Sequence, residues 1–318
     1  MLTLGALLTA RIDSARLTVS NLINGVTETG DVSMSMKTLY SFGIVLLIAA
    51  LVLSACQPIA PLPARGVGSL ADEISARGTV RIGVRNDNPP LSFVTENGEW
   101  VGFDVDLAHA IAAQMGMEPE LIVVDGTTRI SFLQEGRVDV SIASMNHTRK
   151  RDNAIDFSIT YFWDNQSFLV RTGGYTSIDE QIGTKVAANA GSSAIPSWIA
   201  YSAAQGGPEP EIVEFSDKLA AMQALRDGAV EGYTEDNITM LALAAGDPGL
   251  ELLPGGHNPV QFGIGVPNNQ SAWRDQVNYA LQELWKSGLY HEIYFRWFEG
   301  PDAPIQLPLG GQMEVWPE

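Results

Sequence analysis

The stretch GFDVDLAHAIAAQM, residues 102–115, decides how this chain is read. Leu107, Ala108, Ile111, Ala112 and Met115 recur at the spacing of one helix face, so the segment predicts a helix with that face buried. Asp104 and Asp106 fall in its first turn, where the positive end of the helix dipole favours carboxylates. Paired aspartates also suit a metal, but His109 is the only imidazole nearby and does not complete a ligand shell. The aspartates therefore read as scaffold, and neither a metal nor a cofactor is expected.

Outward from this helix, strands and helices alternate. Strands are expected at 80–84, 121–124 and 138–143, with helices at 104–115 and 129–135 between them. A second series places strands at 185–188, 211–215 and 229–234, with helices at 193–203 and 216–226. That order predicts an α/β fold of parallel sheets joined by right-handed crossovers. The two series echo each other: LQEGRVD, residues 133–139, recurs in pattern as LRDGAVE, residues 225–231. In each, a helix stops at a glycine and a strand starts with a valine and an acid. Eight residues past the glycines stand Ser144 and Asp236, at the carboxyl ends of their strands. Ligands of open α/β sheets bind outside those ends, so two facing lobes would enclose a polar cleft between 144–146 and 235–237. The same loops serve equally well as ordinary strand ends.

The composition narrows the function. A chain of 318 residues with 45% hydrophobic and 18% charged residues is globular rather than disordered. A net charge of −18 argues against nucleic-acid binding, which needs clustered cations; only Arg149, Lys150 and Arg151 cluster. Cys56 is the single cysteine, so neither an internal disulfide nor a cysteine metal cage can form. It ends the tetrapeptide LSAC, after Lys37 and an apolar run at 39–53. That run has the length of a signal-peptide core and falls short of the about 20 residues of a membrane span. Signal peptides begin close to their basic region, so Met34 or Met36 is the expected start and residues 1–33 read as a misassigned beginning. Within a signal region of 1–55, residues 36–55 are the expected signal peptide. Residues 56–68 follow as a tether and 301–318 as a proline-rich tail.

The 102–115 unit resembles the signature of the family 3 extracellular solute-binding proteins, the receptors of polar amino-acid ABC transporters. The resemblance continues from about residue 78 to 298. LSAC likewise resembles a bacterial lipobox, which would make Cys56 the lipidated first residue of an extracytoplasmic protein held to the membrane by its lipid. The family implies a two-lobed, type II periplasmic-binding-protein-like fold with a central cleft and two hinge strands, near 167–171 and 259–263. Residues 69–166 with 260–300 would form lobe 1, and 167–259 lobe 2. It also implies a monomer that hands an amino acid to a membrane permease and does no chemistry.

Site residues carried over from the resemblance are specific. Arg151, three residues after the expected N-cap Thr148, would grip the ligand α-carboxylate, for which a guanidinium's paired donors are suited. Asp236 would meet the ammonium, and Ser144 and Asn146 would complete the clamp. Gly191, Ser192 and Ser193 resemble an anion-binding turn of the second lobe. Arg85 and Arg129 align with arginines of glutamate and aspartate binders, while Asn88 stands where many relatives place an aromatic residue. Three arginines around one zwitterion imply a second ligand carboxylate, because unpaired buried charge is costly. Glutamate or aspartate is the expected ligand. A cyclohexadienyl dehydratase-like enzyme on the same fold is the alternative, with Glu235 as its general acid.

Overall fold

The computed structural model describes residues 69–317. The expected signal region, Cys56 and the tether lie outside them. Helix α1 (Leu70–Arg77) opens with a capping box, Ser69 accepting from the Asp72 amide while the Asp72 carboxylate accepts from Ser69. Strand β1 (Thr79–Val84) leads to a small antiparallel sheet of β2 (Asp87–Asn88), β3 (Ser92–Val94) and β4 (Trp100–Val101). Helix α2 (Phe103–Gln114), β5 (Glu118–Val123), α3 (Ser131–Gln134), β6 (Val140–Ser141) and α4 (Arg149–Asp152) follow. The chain then enters the 16-residue β7 (Asp156–Arg171).

Beyond it come β8 (Lys185–Asn189), α5 (Ala194–Ala204), β9 (Glu211–Phe215), α6 (Lys218–Arg226), β10 (Gly232–Asp236), α7 (Asn237–Ala244) and β11 (Leu250–Leu252). Strand β12 (Asn258–Val266), α8 (Ser271–Ser287) and α9 (Leu289–Tyr294) return to the first lobe. A π-helical turn at Phe295–Glu299 and an irregular tail end the described residues.

Strand order is β5-β1-β6-β12-β7-β10-β8-β9, with β11 also on β7. β1 runs parallel to β5 and β6, and β8 parallel to β9 and β10. Strands β7 and β12 run antiparallel to each other between these parallel groups. Gln166 marks the crossing, because it pairs with Asn258 of β12 and also with Asp236 of β10. Residues 167–171, expected as the first hinge segment, already pair with β10 and β11 inside lobe 2. The crossing therefore sits earlier on β7, where Trp163 pairs with Gln261 and Gln166 with Asn258. A single long strand changes partners without a break in its alternation, so nothing local in the sequence marks the point.

Each lobe has its own apolar core. In lobe 1 the expected face of α2 is buried at Leu107, Ala108, Ile111 and Ala112. Phe103 at its start lies within 5.1–6.4 Å of Tyr161, Phe162, Tyr290, Tyr294 and Phe298. Such ring pairs fix how β7, α9 and the π turn meet α2. Lobe 2 packs Leu169, Ala187, Met222, Leu225 and Tyr233 on one sheet face and Phe168, Val186 and Trp198 on the other. The echoed glycines adopt the left-handed conformation expected after a helix, with φ of 67° at Gly136 and 71° at Gly228. The echoed acids also match in role: Asp139 takes Arg77 and Arg81, and Glu231 takes Arg171.

Candidate functional site

All six parallel strands end on the same cleft. Arg85 follows β1, Gly126 and Arg129 follow β5, and Ser144 and Asn146 follow β6. From the other lobe come Ser192 and Ser193 after β8, Lys218 after β9, and Glu235 with Asp236 at the end of β10. With Asn88, Asn189 and Thr239 these residues line a small cavity of about 20 Å³. Strand ends converge here because crossover helices pack on the faces of each sheet, leaving only the carboxyl edges open to one another.

The lobes meet directly across this space. Asn146 Nδ2 donates to Ser193 Oγ at 2.7 Å and to Asp236 Oδ1 at 3.0 Å. Gln166 Nε2 also donates to Asp236 Oδ1, at 2.9 Å. Thr239 donates to Asn88 Oδ1, whose Nδ2 donates to Ser144 Oγ at 2.9 Å. The backbones close on each other at Gly126 and Gly191, where a Cβ on Gly191 would stand 2.5 Å from the Gly126 carbonyl oxygen. The arrangement is a closed cleft.

Ser144 holds a positive φ of 50°, unusual for a residue with a side chain. Asp104 holds it there: its Oδ2 accepts from Ser144 N at 3.0 Å and Oγ at 3.1 Å, and its Oδ1 from the Tyr161 hydroxyl. The aspartate read as scaffold thus braces the cleft, and burial pushes its carboxyl up to about 7. Asp106, by contrast, accepts from Arg296 and Trp297 away from the cleft.

The expected site residues behave differently from one another. Arg85, Asn88, Arg129, Ser144, Asn146, Ser192, Ser193 and Asp236 line the cavity. Arg151 and Gly191 lie beside it, bonded to each other across the cleft: Arg151 Nη2 donates to the Gly191 carbonyl at 3.0 Å, while Nη1 donates within lobe 1 to the Asn146 carbonyl at 2.7 Å. The turn expected to cradle an anion therefore offers Arg151 a carbonyl acceptor. Thr148 caps α4 as expected, accepting from Arg151 N. Arg129 lies in the turn before α3 and does not open that helix; its Nη1 donates to the Ala143 and Ser144 carbonyls. Burial, with Arg151 and Arg85 close by, pushes it down to about 9, still charged at neutral pH.

Two corrections concern charge. Arg85 is already held by Asp87 through two bonds of 2.9 Å, so it is not an unpaired cation. Lys218, not anticipated from the sequence, is buried at the start of α6 with Nζ 4.0 Å from Asp87 Oδ1. Its only sequence signal is position, three residues beyond the end of a strand that the parallel order aims at the cleft. Burial and the Arg85 charge push its amine down to about 7. Burial and Asp236 push Glu235 up to about 7, and burial also raises Asp236. Three cavity atoms are buried without a hydrogen-bond partner: Arg129 Nε, Asn146 Oδ1 and Glu235 Oε2. A polar ligand in the cavity would supply partners for them. Among the described residues no group of His, Cys, Asp and Glu could hold a metal ion, and no helix is long and apolar enough to cross a membrane.

A two-lobed α/β shell closing a small, charged cleft between strand ends defines a solute-binding protein rather than a scaffold or a nucleic-acid binder. The chain belongs to the bacterial extracellular solute-binding proteins, family 3, whose pattern it matches over residues 80–300. It is 30% identical over 283 residues to the ABC transporter glutamine-binding protein GlnH of Bacillus subtilis, covering 84% of this chain and 100% of that one. Other relatives bind arginine, cystine, or glutamate and aspartate, by their names. Among solved structures, an ancestral arginine-binding protein bound to glutamine is similar at 34% identity and a TM-score of 0.64, covering 70% of this chain and 99% of that one. An ancestral amino acid-binding protein described as a precursor of cyclohexadienyl dehydratase is similar at 27% identity and a TM-score of 0.63, covering 72% and 99%.

Proposed function

We propose that the protein is the extracytoplasmic amino-acid-binding component of an ABC transporter, lipid-anchored through Cys56, and that it captures glutamate or aspartate by lobe closure. The observation that carries the ligand is the charge of the cleft. Arg85, Arg129, Arg151 and Lys218 face Asp87, Glu235 and Asp236, four cations against three carboxylates while Asp104, raised to about 7 behind Ser144, holds its proton. Transfer of a proton from Lys218 to Glu235 neutralises both and leaves three against two, so with Asp104 protonated the surplus of one positive charge does not depend on where that proton sits. A zwitterion leaves the surplus in place. An amino acid with a second carboxylate cancels it, which matters because unpaired charge in a closed cleft is costly.

In this reading the α-carboxylate meets lobe 1 through the Arg151 donors that the two carbonyls do not use, and the ammonium meets Asp236 from lobe 2. Ligand contacts to both lobes stabilise the closed form, which the permease reads. A thermal-shift panel of the amino acids tests this. A ligand at a thousandfold over its Kd adds about 4 kcal/mol of stability, so glutamate or aspartate should raise Tm most. No shift with any amino acid refutes the transport reading.

The enzyme alternative rests on Glu235, an acid with its pKa raised into the neutral range inside the cleft, as a general acid requires. Formation of aromatic product from prephenate or arogenate would support it and displace the binding-only reading.

A further inference from the structure

Two cavity-lining groups of lobe 2, Lys218 and Glu235, are given no ligand contact by the binding reading above. Lys218 supplies donors only, and Glu235 presents Oε2, buried and unpartnered, while its Oε1 accepts from Ser192 Oγ at 3.2 Å. An ionised Glu235 needs a donor at Oε2. A side-chain carboxamide satisfies this corner completely, its oxygen accepting from Lys218 and its N–H donating to Oε2. A ligand carboxylate satisfies it only when Glu235 carries a proton on Oε2 and becomes the donor itself, since two carboxylates in contact otherwise repel.

We infer that Glu235, with Lys218, is the residue that selects between a carboxylate and a carboxamide at the end of the ligand side chain, and that its own protonation sets the choice. The inference rests on the amino-acid reading of the cleft and adds the rule by which the side chain is chosen. The surroundings of Glu235 suit such a switch. On its own strand Asp236 opposes its negative charge, while the neighbouring Tyr233 hydroxyl is engaged by Asn189. Lys218 favours the charge, and so, more weakly, does Arg85 after β1, which is shared with Asp87. Arg129 and Arg151 from lobe 1 also favour the charge, and Asp164 from β7 opposes it. Burial then raises the carboxyl to about 7, and Lys218 is pressed to about the same value. Falling pH protonates both, and each protonation favours a ligand carboxylate. The direction of selection is therefore fixed: acid at low pH, amide at high pH.

The test is calorimetric titration of L-glutamate and L-glutamine into the purified protein from pH 5.5 to 8.5. Neither ligand changes its own charge much across this range, and glutamine controls for every effect at the shared α-groups. The ratio of glutamate to glutamine affinity should fall by about 10- to 30-fold as pH rises, the span one group titrating near 7 allows. In Glu235→Gln the amide donates permanently, so glutamate should bind at pH 8.5 at least about fivefold more tightly than to the parent, with a shallower pH slope. Lys218→Met should weaken glutamate more than glutamine. A flat ratio in the parent protein while both ligands bind overturns the inference and leaves the amino-acid reading intact, and so does an E235Q variant that shifts both ligands equally. Binding of neither ligand removes both readings. If a variant fails to fold, the pH series on the parent decides alone.

Discussion

Asp236→Asn isolates the charge of one group in the closed cleft. Asp236 is 4% exposed, and its Oδ1 accepts from Asn146 at 3.0 Å and Gln166 at 2.9 Å. An asparagine is isosteric and keeps an oxygen for both donors, so the change removes the charge while sparing the geometry. Truncating one partner of a buried charge pair costs about 2–5 kcal/mol, and loss of the ligand ammonium's counter-charge should weaken binding by about 30-fold to several thousandfold. The structure divides that range. Without Asp236 the cleft gains a further positive surplus from Arg129 and Arg151, which favours an anionic ligand. Glutamate should therefore lose less than glutamine. Burial raises the Asp236 carboxyl, so its ionised form costs the ligand-free protein stability, and D236N should unfold at the same temperature as the parent or higher. Calorimetry at pH 7 with a parallel melting curve reads both quantities. A variant that folds normally and binds within about threefold of the parent would show that Asp236 does not meet the ammonium.

Other perturbations test closure, packing and linkage. Gly191→Ala places a Cβ 2.5 Å from the Gly126 carbonyl at a φ of 75°; ligand affinity should fall at least about tenfold, and X-ray scattering should show an extended form that ligand does not compact. Gly311→Val drives a side chain into the Trp163 ring, 2.6 Å from where its Cβ would lie, and should cost about 1–3 kcal/mol in denaturant melts by lifting the tail from β7. For the ligand-free protein, Glu235 has a folded pKa of about 7 above its ordinary 4.5, so the stability it contributes is full below 4.5 and lost as pH rises through 7. The difference in Tm between the parent and E235Q should accordingly change sign-consistently against the parent as pH rises from 5 to 7.5. A difference that stays constant across that range would contradict the burial of its charge.

Much of the molecule was legible in local pattern. The apolar spacing of 102–115 gave the helix whose buried face anchors lobe 1. The glycine echo gave two equivalent helix-to-strand turns, and with them Ser144 and Asp236 as facing strand ends. These readings hold because period and turn chemistry are properties of a few consecutive residues. Boundaries were less legible: the strand expected at 138–143 is only Val140–Ser141, and the helix expected at 129–135 shrinks to Ser131–Gln134. At the cleft end of that strand the backbone bonds to side chains instead, the Ala143 carbonyl accepting from Arg129 and Ser144 N donating to Asp104.

Read alone, the chain specifies the class of fold, the parallel pairing within each lobe and the chemistry available at the strand ends. Tertiary structure alone decided which charges meet. It paired Arg85 with Asp87, turned Asp104 from a helix-end charge into a brace for Ser144, and brought Lys218 into the cavity with Glu235. The reason is electrostatic and geometric: the charge state of a buried group depends on neighbours that are distant in the chain, and chain distance carries no record of which strand ends will face each other once two lobes close.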